Sequence, residues 1–276
     1  LNPSSAASDV YKRQAFSPCP NDTFIFDALV NKKIDTCGIN FQVHMHDVEQ
    51  LNKKSLTQDY DITKLSFNAY SLCYKKYIIL DSGAALGENC GPLLIKNPST
   101  IIKQNSVVAI PGKYTTANML FKMAYPKMNN TKEYLFSDIQ EKVLNNDVDA
   151  GLIIHENRFT YHDKGLEKVV DLGDFWASKT SLPLPLGGIM VSRDLDLSTQ
   201  RKINSLINLS IKYAFENPSS SLGYTKFHCQ EIDDDVIASH IKLYVNKYSL
   251  SLGDIGRKSI KVLLSNLDLE TSNIFL

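Results

Sequence analysis

The feature that most constrains the fold is a short apolar run, residues 152–154, which stops abruptly at the polar residues His155, Glu156, Asn157 and Arg158. An apolar run of this length is typical of a strand that is buried on both faces, as in α/β sheets. Ligands of such sheets bind at the carboxyl ends of the strands, so His155 is a candidate catalytic residue. The alternative is that His155 caps the strand as an inert, hydrogen-bonded residue, and its position alone favours that alternative.

Size and charge indicate a globular protein that binds a small molecule. The chain has 276 residues, of which 43% are hydrophobic, enough for one large or two medium domains. Its 30 basic and 30 acidic residues give a formal net charge of zero, so no overall basic field attracts nucleic acid or an anionic membrane. We therefore predict a small-molecule ligand, no nucleic-acid partner and no membrane insertion. The sequence predicts no particular oligomeric state.

The cysteine and histidine patterns argue against a disulfide scaffold and a metal site. The five cysteines are an odd number without a CxxC pair, which fits free thiols in a reducing cytosol. His44 and His46 lie two residues apart on a predicted strand and could face a metal together, but no third ligand follows at an obvious spacing. We predict a solvated or hydrogen-bonded pair, no metal and a cytoplasmic location. His240 lies on an apolar helical stripe and is predicted to be a core residue.

Residues 1–14 differ from the rest of the chain in composition. They are rich in serine and alanine, lack an initiator methionine and show no clear periodicity. No apolar signal-peptide core follows Lys12 and Arg13, and no run of about 18 apolar residues occurs that could span a bilayer. We predict that residues 1–14 are non-native or disordered, in the manner of a linker or a translated adapter. The first strand would then pair only at the edge of a sheet.

Strand and helix patterns alternate along the chain. A helix follows the loop at residues 17–22, because apolar residues recur there at helical spacing. The other predicted elements are strands at residues 39–43, 60–65, 77–80, 106–110, 133–136 and 152–154, and helices at residues 48–56, 139–144, 198–216 and 236–248. The alternation starts afresh after residue 97, which predicts a second domain and an α/β fold.

The order of these elements predicts a discontinuous first domain. We assign residues 15–96 together with 191–276 to domain 1, and residues 97–190 to domain 2. Strands at residues 93–96 and 188–193 would cross between the domains, and two crossing strands make a hinge. A ligand cleft between the domains is then expected.

Further polar residues follow predicted strands or begin predicted helices, and would face the same cleft as His155. A loop whose amides end at a helix N-terminus offers hydrogen-bond donors to a carboxylate or hydroxyl. The alternative for each is ordinary helix capping, and for the lysine simple exposure to solvent. The residues concerned are Ser17, Asn21, Lys64, Ser66, Thr115 and Thr116.

Six segments form a recognisable series in the chain: SPCPNDTFIFDALV, DITKLSFNAY, GENCGPLL, PGKYTTA, AGLIIHENRFTY and LPLPLGG. In this order they closely resemble the 1,4-dihydroxy-6-naphthoate synthase family of the futalosine route to menaquinone. The resemblance extends from about residue 15 to near residue 252. It implies the two-domain fold of periplasmic solute-binding proteins of the second type, and a cytoplasmic enzyme with no metal or redox cofactor.

The resemblance also implies an activity and site residues. The activity is a lyase reaction on cyclic dehypoxanthinylfutalosine that yields 1,4-dihydroxy-6-naphthoate and dihydroxyacetone. His155 matches the proton acceptor of the family. The first substrate-binding segment of the family matches Lys64, Leu65 and Ser66, and the second matches Thr115 and Thr116 to within about a residue.

Two other functions share this fold and remain open from the sequence. A chorismate dehydratase of the same pathway is the nearer alternative, although the SPCPNDTFIF and HENRFTY segments favour the synthase. A non-catalytic solute-binding protein would need no base and would normally carry an export signal. Product identity separates the first alternative from the synthase, and recovery of an unchanged ligand would support the second.

Overall fold

The computed structural model describes residues 10–88, 90–230, 233–267 and 269–276, and within them the chain forms two β-sheets surrounded by helices. The strands are β1 Val10–Phe16, β2 Ile39–Met45, β3 Ile62–Ser66, β4 Tyr77–Ile79, β5 Ala85–Gly87, β6 Leu93–Lys96, β7 Val108–Ile110, β8 Thr131–Glu133, β9 Ala150–Ile153, β10 Glu167–Asp171 and β11 Leu184–Ser192.

The helices of the described residues lie between these strands and after β11. They are α1 Pro20–Val30, α2 Val48–Thr57, α3 Phe67–Cys73, α4 Thr116–Ala124, α5 Ile139–Leu144, α6 Asn157–Thr160, α7 Leu172–Thr180, α8 Leu197–Glu216, α9 Leu222–His228, α10 Asp234–Tyr244, α11 Lys247–Leu250 and α12 Gly253–Ser265. Among the described residues, no helix is both long and apolar enough to cross a membrane.

The two sheets confirm the predicted α/β architecture. Each sheet with the helices packed on it forms one unit, and the first unit contains the first sheet. The first sheet has the order β2-β1-β3-β11-β4, with β5 also paired to β11, and the second has the order β10-β6-β9-β7-β8. In the first sheet β1 is parallel to β2 and β3, and β11 is antiparallel to its neighbours. In the second sheet β7 is parallel to β8 and β9. Strand β9, which carries the apolar run before His155, is the middle strand of its sheet.

The pairing of β6 and β11 places both boundaries between the units earlier in the sequence than predicted. Strand β6, expected in domain 1 as a crossing strand, pairs with β9 and β10 of the second sheet. Strand β11, most of which was expected in domain 2, pairs along its length with strands of the first sheet. The chain therefore crosses between β5 and β6 and again between α7 and β11. The sequence placed both crossings too late because buried apolar strands look alike whichever sheet they join.

Two local elements also differ from the sequence prediction. The strand predicted at residues 133–136 is instead β8, which ends at Glu133, and Phe136–Asp138 form a 3-10 turn. Strand β5, which is not among the predicted strands, lies in the glycine-bearing segment after β4 and pairs with β11. Tertiary pairing with a distant strand decides such short segments, and local composition does not report it.

The hydrophobic core continues from one unit into the other. One face of the first sheet packs against α1 and α8. The other face belongs to a cluster that includes Leu65 and Met190 of the first sheet together with Leu94, Leu120 and Leu152 of the second unit. A smaller cluster lies beneath the opposite face of the second sheet. The shared cluster holds the two sheets against each other around the cleft described below.

Strand β1 includes residues that were expected to be non-native or disordered, and it does not lie at the edge of its sheet. Residues 1–9 of the segment predicted to be non-native or disordered lie outside the described residues. Residues 10–14 belong to β1, which lies between β2 and β3 and is not an edge strand. Gln14 is fully buried, and within the described part of the chain neither its side-chain amide nitrogen nor its oxygen has a hydrogen-bond partner. A buried amide without partners costs free energy, so Gln14 is a poor fit to this strand.

Replacing Gln14 by methionine is expected to stabilise the protein. Methionine keeps the unbranched shape and removes the two unpaired polar atoms, so we expect the free energy of unfolding to rise by about 1–3 kcal/mol. Urea unfolding measures the change. Gln200→Met is the matched control, because the buried Gln200 amide donates to the carbonyl oxygens of Ser192 and Leu195. The control should lose stability, and a loss in Gln14→Met as well would contradict the prediction.

Candidate functional site

A cleft between the two sheets contains the residues predicted for the site. It holds about 710 Å³ of empty space, counted to the solvent at its mouth. Its lining comes from both units, and apolar side chains such as Leu51, Ala117 and Leu186 form much of its wall. All eight residues predicted for catalysis and binding line it: Ser17, Asn21, Lys64, Leu65, Ser66, Thr115, Thr116 and His155.

His155 is held in an uncommon backbone conformation at the end of the central strand. Strand β9 ends at Ile153, and His155 then adopts a left-handed φ of 58°. Such a conformation is infrequent for residues other than glycine and is often retained at functional sites. The ring packs edge-on against Phe136, with 4.8 Å between the centroids. Its Nε2 atom is buried and has no hydrogen-bond partner among the described residues, unlike the hydrogen-bonded strand cap that was the alternative.

The environment of His155 favours the neutral imidazole. Burial lowers the pKa of His155 from its ordinary 6.5 to about 4, against the attraction of the Asp22 carboxylate and with the repulsion of the Lys64 ammonium. Desolvation acts in this direction because it penalises the charged form of the ring. A neutral imidazole has an unprotonated nitrogen and can accept a proton at neutral pH.

A buried ion pair lies on the opposite wall of the cleft. Lys64 Nζ is 3.0 Å from Asp22 Oδ1, and it also donates to the carbonyl oxygen of Gly83 at 3.1 Å. The side chains of Lys64 and Asp22 are 10% and 2% exposed, so this lysine does not lie in solvent. The sequence marked Asp22 only as a residue at a helix start. Its place next to Lys64 depends on the pairing of β1 with β3, which the local sequence does not show.

His240 is a core residue, as predicted, but it also contacts the site. Its side chain is fully buried on α10, and its Nε2 atom is 2.9 Å from Asn21 Oδ1. The ring lies nearly parallel to that of His155, with 5.9 Å between the centroids and 14° between the planes. Its Nδ1 atom is 3.8 Å from Glu156 Oε2. The sequence could not reveal this role, because an apolar helical stripe gives no sign of what its histidine faces.

The hydroxyl of Thr115 caps a helix as expected, whereas those of Ser66 and Thr116 bond to other groups. Thr115 Oγ1 does accept from the amide of Asn118, as an N-cap should. Ser66 precedes α3 but caps no amide of that helix, and its hydroxyl instead accepts from the Asn52 side chain at 3.1 Å. Thr116 Oγ1 donates to the Leu186 carbonyl oxygen at 2.6 Å, across the cleft.

Several hydrogen bonds join the two walls of the cleft. The amide of Tyr114, in the second unit, donates to both carboxylate oxygens of Glu49 on α2, at 3.1 and 3.2 Å. Lys53 Nζ lies 3.1 Å from Glu133 Oε2 across the same gap. Together with the Thr116 contact, these bonds hold the two units against each other across the cleft. Closure removes water from a site and strengthens the electrostatic interactions within it.

The first crossing between the units is fixed beside the cleft. Arg158 Nη1 donates to the carbonyl oxygen of Gly91, and Arg158 Nη2 lies 2.9 Å from Asp171 Oδ2. Gly91 also lies against Gly173: a Cβ atom built on Gly91 would be only 1.9 Å from the Gly173 nitrogen. The neighbouring Cys90 thiol is buried, and burial raises its pKa to about 12, so it is protonated and unreactive at neutral pH.

His44 on β2 and His46, which follows that strand, are not among the residues that line the cleft. His46 Nε2 is 2.7 Å from the Tyr60 hydroxyl oxygen, as expected of a hydrogen-bonded histidine. The prediction of a solvated or hydrogen-bonded pair is wrong for the Nε2 atom of His44, which is buried and has no hydrogen-bond partner among the described residues. In the described part of the chain, no group of three or more histidine, cysteine or acidic side chains is placed to hold a metal ion.

The chain is similar to a known protein family, to curated proteins and to solved structures. Residues 13–268 match the profile of a family described as menaquinone biosynthesis. The 1,4-dihydroxy-6-naphthoate synthase of Thermus thermophilus is 40% identical over 256 residues, which cover 93% of each chain. A crystal structure of a protein from Archaeoglobus fulgidus is 35% identical, with a TM-score of 0.89 over 94% of this chain and 97% of that one.

A more distant structure supports the fold alone. The periplasmic aliphatic sulphonate binding protein of Escherichia coli superposes with a TM-score of 0.62 at 10% identity, over 94% of this chain and 88% of that protein. The fold is therefore that of the periplasmic binding proteins, as the sequence resemblance predicted. With a family match over nearly the whole sequence and a curated relative of similar length, the chain belongs to the menaquinone biosynthesis family.

Proposed function

We propose that this protein is a carbon–carbon lyase that converts cyclic dehypoxanthinylfutalosine to 1,4-dihydroxy-6-naphthoate and dihydroxyacetone. The observation that carries the proposal is the placement of His155 at the wall of the cleft, with its Nε2 atom free of hydrogen-bond partners among the described residues, in a chain of the menaquinone biosynthesis family. A solute-binding protein of the same fold needs no such base.

The proposed first step is a proton transfer from a substrate hydroxyl to the imidazole of His155. The electron pair left on the oxygen forms a carbonyl group as the adjacent carbon–carbon bond breaks, in the manner of a retro-aldol reaction. The electrons of the broken bond enter the ring system, and its aromatisation drives the step. The imidazolium formed on His155 can then return the proton to the ring fragment, which has taken up the electrons of the broken bond, so no net proton is lost.

The remaining site residues are proposed to hold the substrate. The Lys64 ammonium would bind its carboxylate or carbonyl oxygen, since charge-assisted hydrogen bonds to an ammonium are strong. The loop and helix start at Ser17 and Asn21, the segment at Leu65 and Ser66, and the helix start at Thr115 and Thr116 would fix its other oxygens. The closed cleft would exclude water while the bond breaks.

We also propose that the enzyme works in the cytoplasm. All five cysteines are free thiols, although cysteines in oxidising compartments commonly form disulfides. The proposed chemistry uses side chains alone and requires no metal or redox cofactor.

Product analysis tests the proposed reaction. The purified protein is incubated with cyclic dehypoxanthinylfutalosine, and the products are identified by liquid chromatography and mass spectrometry. Release of dihydroxynaphthoate and dihydroxyacetone in equal amounts is the expected result. Recovery of the substrate unchanged would reject the lyase, and the same protein is then incubated with chorismate to test the dehydratase alternative.

The pH dependence of the reaction is expected to reflect the lowered pKa of His155. The base acts when neutral, so activity is present above its pKa and is lost as the pH falls through it. With a pKa of about 4, kcat/KM should stay nearly constant from pH 8 to about pH 5.5 and fall to half near pH 4. Initial rates over this range measure it, with circular dichroism to confirm that the protein stays folded. A half-loss near pH 6.5 would contradict the prediction.

A further inference from the structure

The carboxylate of Asp22 is bonded on both of its oxygens to residues that line the cleft. Its Oδ2 atom accepts from the Ser17 hydroxyl at 2.7 Å and from the Ser17 amide at 3.1 Å. Its Oδ1 atom accepts from Asn21 Nδ2 at 2.9 Å and lies 3.0 Å from Lys64 Nζ. Asp22 is 2% exposed, so these four contacts take the place of its water shell.

These bonds decide which groups Lys64 and Ser17 offer to a substrate. The ammonium of Lys64 uses one N–H for Asp22 and one for the Gly83 carbonyl oxygen, which leaves its third N–H as a donor. The hydroxyl hydrogen of Ser17 points to Asp22, so Ser17 Oγ can only accept further bonds, and in the protein it accepts one long contact of 3.4 Å from the Cys19 amide. The two residues therefore present a cationic donor and a neutral acceptor.

The same carboxylate also fixes the residues behind the base. Because Asn21 donates its Nδ2 to Asp22, its Oδ1 atom must face His240, and His240 Nε2 must carry a hydrogen to bond it. The His240 ring is thereby held in one orientation, and the His155 ring lies parallel to it. A chain of contacts thus leads from Lys64 through Asp22, Asn21 and His240 to His155.

We propose that Asp22 is the positioning residue of this site. It orients the Lys64 donor toward an anionic or carbonyl oxygen of the substrate, and the Ser17 acceptor toward a substrate hydroxyl. It also fixes the Asn21–His240 hydrogen bond, and the His155 ring packs against His240. The assignment of substrate oxygens rests on the proposed function, because that substrate carries a carboxylate, a carbonyl-forming centre and hydroxyl groups. The orientation of His240 and His155 does not depend on it.

The test compares Asp22→Asn with Asp27→Asn. Asp27 is a matched control because it lies on the same helix, is 1% exposed and is also ion-paired, with Lys33 Nζ at 2.5 Å, but does not line the cleft. We expect Asp22→Asn to lower kcat/KM by about 100-fold, the size of effect that a misplaced site group produces. We expect Asp27→Asn to reduce stability while kcat/KM stays within about threefold of the parent.

A second measurement does not require the reaction. The imidazole of His155 is titrated by NMR in both variants. Asp22, Lys64 and His240 are the ionisable groups that face His155 from α1, β3 and α10, with Glu156 next to it in the chain. Asp22→Asn should lower the pKa of His155, since the attraction of the carboxylate is lost, whereas Asp27→Asn should leave it unchanged. If the parent makes no product, the proposed function fails, but this titration still tests the place of Asp22.

Ser17→Ala provides a variant that keeps the carboxylate and three of its four contacts. Without the acceptor, the KM for the substrate should rise about tenfold, in line with one lost hydrogen bond. The proposal is overturned if Asp22→Asn keeps kcat/KM within threefold of the parent, if the pKa of His155 is unchanged in that variant, or if Ser17→Ala leaves KM unaltered.

Discussion

Replacing His155 by asparagine is expected to lower kcat by about 10²- to 10⁴-fold, the usual contribution of a general base. Asparagine is the informative substitution because it tolerates the left-handed conformation that His155 adopts at φ 58°, whereas alanine would add a backbone cost to the loss of the base. The side chain remains polar and of similar reach to Cγ, so the surrounding fold should persist. Steady-state kinetics with a thermal unfolding curve separate the two effects.

His162→Asn is the control for this experiment. His162 belongs to the same unit, but its side chain is 62% exposed and contacts the neighbouring Asp163 and Tyr161 side chains, so its replacement should change neither kcat nor the unfolding temperature appreciably. If His155→Asn retains kcat within tenfold of the parent, His155 is not the base. If it loses activity and unfolds at a much lower temperature, the loss reports structure and not chemistry.

Replacing Gly91 by alanine is expected to cost about 3 kcal/mol of folding free energy, at the upper end of the penalty for overpacking. A Cβ atom at this position would lie 1.9 Å from the nitrogen and 2.4 Å from the Cα atom of Gly173. Both are backbone atoms, so no side-chain rotation can relieve the contact. Relieving the contact would displace the segment that carries Gly91, and this would also strain the bond from Arg158 to the Gly91 carbonyl oxygen.

Urea unfolding of Gly91→Ala measures this cost. Gly223→Ala is the matched control, since Gly223 lies in α9 and nothing is within 4 Å of the Cβ that would be added. That control should be neutral or slightly stabilising, because alanine favours a helix over glycine. A stability of Gly91→Ala equal to that of the parent would show that the two segments can move apart freely, contrary to the close packing described above.

The sequence predicted the parts of the fold that depend on local pattern. Helices α1, α2, α5 and α8 lie within a few residues of their predicted positions, because their apolar residues recur at helical spacing over one or more turns. Strand β9 and its polar end were likewise visible, since a buried strand that stops at charged residues leaves a clear signature. The candidate residues on the cleft followed from this, as they sit at strand ends or helix starts, except Leu65, which only the family resemblance indicated.

The parts that failed depend on contacts between distant segments. Nothing near Leu93 or Leu184 shows which sheet each joins, so the crossings were placed too late. The importance of Asp22 arises from Lys64, 42 residues later in the sequence, and that of His240 from Asn21, 219 residues earlier. Composition and periodicity describe single elements, and these pairs are created only when β1 is inserted between β2 and β3 and α10 packs on α1.

The place of β11 in the first sheet has a consequence for the order in which the protein forms during synthesis. Strand β4 pairs with β11 and has an isolated bridge from Ile79 to Phe275, so its partners leave the ribosome more than 100 residues after it does. The second sheet lies within Leu93–Asp171, a continuous stretch that is complete before β11 is synthesised. The second unit can therefore fold first. Until β11 is synthesised, the incomplete first sheet has an apolar edge exposed, and this stage of folding is the one most dependent on chaperones.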